Sequence, residues 1–144
     1  MSVEFGFERV YVELDRYDGP RSGIADVYGV PHRFLSNFDE SDTDPSGTFL
    51  VFPIDSDMLA LEIEQWRIFV SWNKRYEAGE ENLSPHPGTG GVDARWDELE
   101  MLLTESRQRT PSDARSANAA FSWLDREERY AEDGPDYCVR WTLR

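Results

Sequence analysis

The sequence is poor in cysteine, lysine and histidine, and it contains no long apolar run. Its single cysteine, Cys138, excludes an internal disulfide and a cysteine-cluster metal site. No stretch approaches the roughly 18 consecutive apolar residues that a membrane-spanning helix needs. The first residues also lack the basic segment and apolar run of a secretory signal. These absences predict a protein of the reducing cytoplasm that does not associate with membranes.

Positive charge is also scarce. The chain has 15 Lys and Arg residues, of which Lys74 is the one lysine, against 29 Asp and Glu residues, and its formal net charge is −14. Because phosphate backbones repel such a chain, we expect no nucleic-acid partner. The charge suits a basic partner, the mimicry of a nucleic acid by surface carboxylates, or simply solubility.

Aromatic and apolar residues, in contrast, are plentiful. Hydrophobic residues make up 39% of the chain and aromatic residues 13%. That composition is enough for one hydrophobic core in a chain of 144 residues. We find no repeat and no change of composition that marks a boundary, so residues 1–144 are predicted to form a single domain.

The first half of the chain predicts strands. These span residues 9–17, 23–28, 31–38 and 48–54. In the first strand Val10, Val12 and Leu14 alternate with polar residues and are predicted to share one face. Gly29 and Val30 are predicted to form a tight hairpin turn between the second and third strands.

The middle of the chain predicts two helices, and the end returns to strands. Asp55 or Ser56 begins a helix that runs to about residue 78, and Asp93 caps a second that runs to about residue 109. Residues 117–124 favour a strand over a short helix, and residues 137–143 predict a final strand. The order ββββ-αα-ββ predicts an α+β fold, in which an antiparallel sheet of five to six strands carries two helices on one face.

Turn-forming and ionisable residues are densest at 17–34, which reads YDGPRSGIADVYGVPHRF. This segment resembles a group of small bacterial proteins that share an N-terminal YDGPxxGxADxxGxPHxF pattern and for which no activity is established. The resemblance covers about the first quarter of the chain. It implies a shared fold and transfers no catalytic role.

Two interpretations of this segment stay open. In the first, His32 acts as a base beside Asp18 or Asp26 in a small enzyme site, because a histidine with a carboxylate partner is the minimum for proton transfer. In the second, which we favour, the glycines and prolines only form turns and Asp26 pairs with Arg33. Asp26 and His32 then project from opposite faces of the hairpin, which argues against a catalytic pair.

No metal or cofactor site is predicted. Neither His32 nor His86 has a second ligand at the spacing of a zinc site. The acidic segment that begins at Asp42 resembles a calcium loop, but Pro53 stands at the twelfth position, where that loop requires a glutamate. The sequence also contains no recognisable cofactor-binding motif.

The aromatic residues give a more specific hypothesis. Tyr11, Tyr17, Tyr28 and Arg33 are predicted to lie on the sheet face that the helices leave exposed. Tyrosine, tryptophan and arginine are the residue types enriched in interface hot spots. We therefore predict a non-enzymatic protein-binding or accessory module, whose partner is another protein or a second copy of the chain. The small enzyme and the acidic nucleic-acid mimic are the alternatives.

Overall fold

Six antiparallel strands form a closed barrel in the computed structural model, which describes residues 6–16, 19–36, 48–79 and 85–144. The barrel strands are β1 (Glu8–Arg16), β2 (Pro20–Val27), β3 (Val30–Ser36), β4 (Thr48–Pro53), β5 (Arg115–Trp123) and β8 (Tyr137–Leu143). Helices α1 (Ser56–Glu77) and α2 (Ala94–Gln108) lie between β4 and β5. Two short strands, β6 (Tyr130–Ala131) and β7 (Gly134–Pro135), pair with each other between β5 and β8.

The predicted α+β class and the antiparallel pairing are confirmed, and the predicted order of strands and helices fits the barrel strands. Closure of the sheet was not predicted. Around the barrel the strand order is β1-β2-β3-β4-β5-β8, and β8 pairs with β1 through Glu8–Val139 and Arg9–Cys138. Each barrel strand therefore has two neighbours, so the barrel has no free edge.

The inside of the barrel is filled by apolar side chains from all six strands. The buried cluster consists of Val10, Ala25, Val27, Phe34, Phe49, Val51, Ala117, Tyr137, Val139 and Trp141. Three of its rings, those of Phe34, Phe49 and Trp141, pack with centroids 5.6 to 5.8 Å apart. One face of the sheet is thus the packed core. We predicted that the helices would cover one face of the sheet and leave the other face exposed, and this is wrong. The inner face is the packed core, and the helices and the solvent both contact the outer face.

Both helices begin at aspartate caps, as predicted. The Asp55 carboxylate accepts the backbone N–H of Met58 at 2.8 Å, and the Asp93 carboxylate accepts that of Trp96 at 2.9 Å. These bonds satisfy N–H groups that have no partner within the helix. After α1, Gly79 has a φ of 85°, a left-handed conformation that glycine adopts without strain. No helix within the described ranges is both long and apolar enough to cross a membrane.

Helix α1 packs on the outer face of the barrel. Its side chains Trp66 and Val70 form a second buried cluster with Val12 of β1 and Ile24 of β2. This layer is separate from the barrel interior, so the protein has two apolar layers with the sheet between them.

A β-bulge in β1 distributes neighbouring residues between the two layers. Val10 pairs with Ala25, whereas Val12 pairs with Ile24, so Tyr11 is an extra residue in β1. Val10 consequently points into the barrel while Val12 points toward α1. The predicted alternation of this strand is therefore wrong beyond Val10.

The β2–β3 turn consists of Tyr28 and Gly29, both with positive φ, at 51° and 81°. Two-residue hairpin turns of type I′ require that geometry. The predicted turn, one residue later in the chain, is wrong. Arg33 consequently pairs with Ile24 instead of Asp26.

Candidate functional site

The predicted proton-transfer residues are not brought together. Asp26 accepts a hydrogen bond from the Tyr11 hydroxyl at 2.8 Å. His32 Nδ1 donates to the carbonyl oxygen of Val30 at 2.7 Å. Asp26 and His32 occupy neighbouring positions of the β2–β3 ladder, whose side chains project from opposite faces. Asp18 lies outside the described residues.

The predicted tyrosine–arginine surface is divided by the fold. Tyr28 is 42% exposed in the β2–β3 turn, whereas Tyr11 is half-buried against the α1 layer. Burial and the neighbouring Asp26 carboxylate raise the pKa of Tyr11. Arg33 is only 2% exposed, so its prediction as a surface residue is wrong. Tyr17 lies outside the described residues.

Arg33 instead belongs to a buried group of charges between the barrel and the helices. Its guanidinium donates to Glu62 Oε2 of α1 at 2.7 Å and to Ser106 Oγ of α2 at 2.9 Å. Glu62 is 1% exposed, and Arg107 of α2 donates to both of its oxygens, at 2.6 and 3.0 Å. One carboxylate therefore connects β3, α1 and α2.

The same group continues along both helices. Arg107 also donates to Gln65 and Glu100, and Gln65 Nε2 donates to Glu100 at 2.9 Å. Burial by itself lowers the pKa of Arg107, but the hydrogen bonds and charges of Glu62 and Glu100 raise it above the ordinary value. The Glu62 network comprises Arg33, Glu62, Gln65, Glu100, Ser106 and Arg107.

A cleft of about 340 Å³ lies beside this network, and we name it the aromatic cleft. Its walls are residues 12–16 of β1, one side of α1, one side of α2, and the side chains of His86 and Tyr130. Four members of the Glu62 network line it as well. The volume is at the lower end of the range for ligand sites, so the cleft suits a small molecule or one long side chain.

One wall of the cleft is a continuous set of aromatic rings. It consists of Trp66, Phe69, His86, Trp96 and Tyr130. Neighbouring centroids in this set are 5.0 to 5.9 Å apart, in tilted or edge-to-face arrangements. The Trp66 indole N–H donates to the carbonyl oxygen of Ala131 at 2.7 Å, which fixes the ring against the β6–β7 hairpin.

Glu13 of β1 is also among the lining residues, but it pairs with Gly23, opposite Phe34, and so its side chain lies on the barrel-interior face. Its side chain is 7% exposed, and its carboxylate accepts a hydrogen bond from the Tyr137 hydroxyl at 2.6 Å. Arg16 is 3.9 Å from the same oxygen, too far for a hydrogen bond. Among the described residues, Tyr137 is the one group that donates a hydrogen bond to this carboxylate.

The charge of Glu13 acts on the nearby phenols. Burial raises the pKa of Tyr130, and the negative charge of Glu13 raises it further. Burial, the charge of Glu13 and the hydrogen bond to it together raise the pKa of Tyr137. The charged residues that line the cleft are Glu13, Asp15, Glu62 and Glu100 against Arg16 and Arg107. Four negative and two positive groups give this lining a formal charge of −2, and Arg33, which lies outside the lining, offsets one of the negative charges by pairing with Glu62.

His86 contributes a neutral ring to the wall. Its Nδ1 accepts the backbone N–H of Gly88 at 2.8 Å, so the proton of the neutral imidazole is on Nε2. Burial lowers the pKa of His86. Its ring also packs edge-to-face on Trp72 with centroids 4.7 Å apart. At neutral pH the imidazole therefore adds aromatic surface without positive charge.

Metal and thiol chemistry find no support in the described part of the chain. No group of three or more His, Cys, Asp or Glu residues there is arranged to hold a metal ion. The acidic segment after Asp42 lies outside that part. Cys138 donates to the carbonyl oxygen of Ser122 at 3.5 Å, and burial raises the pKa of its thiol, which lowers its reactivity.

Sequence reasoning missed both Glu13 and the Glu62 network. The alternation of β1 placed Glu13 on the solvent side, because the sequence does not reveal the bulge at Tyr11. Glu62 did give a signal, since it interrupts a broad apolar stripe between Leu59 and Trp66 of α1. An acid inside such a stripe needs a buried counter-charge, and Arg33 supplies it.

No protein-family model matches this chain, and no curated protein or solved structure is significantly similar to it. The resemblance of residues 17–34 to small bacterial proteins therefore stays a prediction.

Proposed function

We propose that this protein is a non-enzymatic accessory module that binds another protein through the aromatic cleft. The observation that carries the proposal is the cleft of about 340 Å³, in which a continuous wall of aromatic rings lies beside charged residues of β1, α1 and α2. Concave sites that combine apolar walls with a few polar groups are typical binding sites. The cleft replaces the binding surface of Tyr11, Tyr17, Tyr28 and Arg33 that we expected from the sequence.

Catalysis has less support than binding. The ionisable groups on the helix side of the cleft are engaged with one another, since Glu62 accepts from two arginines and Arg107 donates to three side chains. The other proposed catalytic group, around Asp26 and His32, is separated by the sheet. Neither arrangement leaves a base and an orienting carboxylate facing the same space.

Mimicry of a nucleic acid also has less support. It requires free carboxylates in an array, whereas seven carboxylates among the described residues are paired with arginine. The acids in described ion pairs are Glu13, Glu62, Glu64, Glu98, Glu100, Glu105 and Asp133. Their negative charge is largely compensated locally, which weakens the resemblance to a phosphate backbone.

Site-specific photo-crosslinking in the native cells tests the proposal. A photoreactive residue replaces Leu14, which lines the cleft and is partly exposed, or Met101, which is highly exposed and does not line it. We expect a discrete protein adduct from position 14 and none of the same mass from position 101. An adduct of twice the chain mass identifies a second copy as the partner. Identical adducts at both positions, or none at either, would reject binding through the cleft.

A further inference from the structure

We infer that the partner protein inserts an uncharged aromatic side chain into the aromatic cleft. This inference rests on the proposed function, because it assigns a chemical class to the part of the partner that enters the cleft. Three features carry it: the pairing of the charges in the lining, the aromatic wall, and two exposed apolar side chains beside the cleft.

The charges of the lining favour an uncharged occupant. Three of the four acids in the lining form ion pairs with arginine. The pairs are Glu13–Arg16, Glu62–Arg33, Glu62–Arg107 and Glu100–Arg107. The fourth acid, Asp15, is exposed to solvent and needs no counter-charge from the occupant. A charged occupant would lose its own hydration and find only paired charges in the cleft, which is costly.

The wall favours an aromatic occupant over an aliphatic one. Its own rings already pack edge-to-face, with centroids 5.0 Å apart for Phe69 and Tyr130 and 5.9 Å apart for His86 and Trp96. Aromatic pairs in such arrangements contribute roughly two- to tenfold in affinity beyond the effect of the buried area. A ring that enters the cleft extends this packing, whereas an aliphatic side chain gains only from the area that it buries.

The size of the cleft limits the occupant to one large side chain. A volume of about 340 Å³ is too small for a folded element, whose width with side chains is about 10 Å or more. Aromatic side chains are the uncharged ones with the most surface to bury, about 150–250 Å² each. The occupant is therefore phenylalanine, tyrosine or tryptophan, and the main chain of the partner stays outside the cleft.

Two exposed apolar side chains lie beside the cleft. Leu14 lines it and is 39% exposed. Trp123 is 52% exposed, and the guanidinium of Arg16, another lining residue, lies over its ring at 5.1 Å. Apolar contacts around a central pocket exclude water from an inserted side chain in protein interfaces. A second copy of the chain is the less suitable partner, because the net charge of −14 opposes self-association.

The first experiment measures the binding of small probes to the purified protein by NMR chemical-shift titration. The probes are the N-acetyl amides of phenylalanine, leucine, arginine and glutamate. We expect saturable shifts at Trp66, Trp96 and Tyr130 with the phenylalanine probe. The leucine probe, which lacks the ring, should bind about two- to tenfold more weakly. The arginine and glutamate probes should bind more weakly still, because neither charge meets an unpaired charge in the cleft.

The second experiment repeats the phenylalanine titration with variants. Phe69→Leu removes one ring of the wall but keeps an apolar side chain, and it should weaken binding about two- to tenfold. Tyr76→Leu is the matched control, because it removes an exposed ring of the same helix that does not line the cleft. It should leave affinity unchanged. If Phe69→Leu does not fold, Tyr130→Leu removes another ring of the wall and should also weaken binding.

The outcomes separate this inference from the proposed function. The aromatic assignment would be overturned if leucine, arginine or glutamate bound as tightly as phenylalanine, or if the wall variants folded and bound the probe normally. If no probe binds while position 14 still crosslinks to a protein, the inference is wrong and the proposed function stands. If phenylalanine binds at the wall but position 14 captures no protein, the aromatic preference of the cleft stands and the proposed protein partner is wrong.

Discussion

The barrel interior and the layer between barrel and helices are both buried, but they are built from different chemistry. The interior contains aliphatic and aromatic residues from every barrel strand. The layer outside β2 and β3 combines a small apolar cluster with the Glu62 network. Apolar packing tolerates rearrangement as long as volume is conserved. Buried charges do not, because each must meet a particular partner.

This difference gives the two regions different roles. Apolar burial in the barrel stabilises the fold in proportion to the area removed from water. The Glu62 network contributes less net stability, since the desolvation of its charges offsets much of their attraction. It does connect β3, α1 and α2 through one carboxylate, and it lines the aromatic cleft. We therefore assign it the role of holding α2 in the position that shapes the cleft.

The largest expected effect is in the barrel. Phe34→Ala removes a fully buried ring that packs on Phe49 and Trp141, so it should cost about 3–5 kcal/mol of unfolding free energy. Urea unfolding measures the loss. Phe7→Ala removes a half-exposed ring and serves as the control, with little expected change. A loss below about 1 kcal/mol for Phe34→Ala would show that the barrel is not the main source of stability.

A somewhat smaller effect is expected in the charged layer. Glu62→Gln keeps the shape and an acceptor oxygen but leaves Arg33 and Arg107 without their counter-charge, so it should cost about 3 kcal/mol. Glu64→Gln is the matched control on the same helix, because Glu64 also pairs with an arginine, Arg95, but both side chains are exposed to solvent. It should unfold at nearly the wild-type urea concentration. Equal losses for the two variants would contradict the assigned importance of burial.

The smallest expected effect concerns pH and the wall of the cleft. Burial holds the pKa of His86 below its ordinary value of 6.5, so near and below that pH the unfolded chain binds a proton that the folded chain does not. The contribution of neutral His86 to the free energy of unfolding should therefore be complete above pH 6.5 and should decrease as the pH falls toward the lowered pKa. In His86→Asn the amide oxygen can accept the Gly88 N–H, and nothing titrates at this position.

Thermal unfolding of both proteins between about pH 8 and pH 5 checks this. The carboxylates contribute equally to each curve, so the difference between wild type and variant isolates His86. We expect the wild type to lose stability relative to His86→Asn as the pH falls. A constant difference, or a relative gain, would contradict a lowered pKa of His86 in the folded protein.

Features of local origin were predictable from the sequence. The caps at Asp55 and Asp93 follow from side chains that bond their own helix, and the predicted strands follow from short-range alternation. The two helices and their position between strands follow in the same way. A single sequence is sufficient for such elements because the interacting groups are only a few residues apart.

Features that depend on distant contacts were not predictable. The ion pair of Arg33 with Glu62 joins β3 to α1, and any of several arginines could have filled that role. The bulge at Tyr11 turns Val12 toward α1 and Glu13 toward Tyr137 on the barrel-interior side, although no glycine or proline in β1 marks it. The cleft itself is formed by β1, α1, α2 and the β6–β7 hairpin, so its lining depends on how those elements pack.

The pairing of β8 with β1 has a consequence for synthesis on the ribosome. Nearly the whole described chain separates the two strands, so β1, made early, has to wait for β8 before its second neighbour arrives. Until then β1 and β5 each expose an unpaired edge, the type of surface that adds strands from other molecules. Closure by such distant partners is also slow in kinetic terms. The closed barrel is protected from edge-to-edge aggregation, but the nascent chain does not yet have this protection.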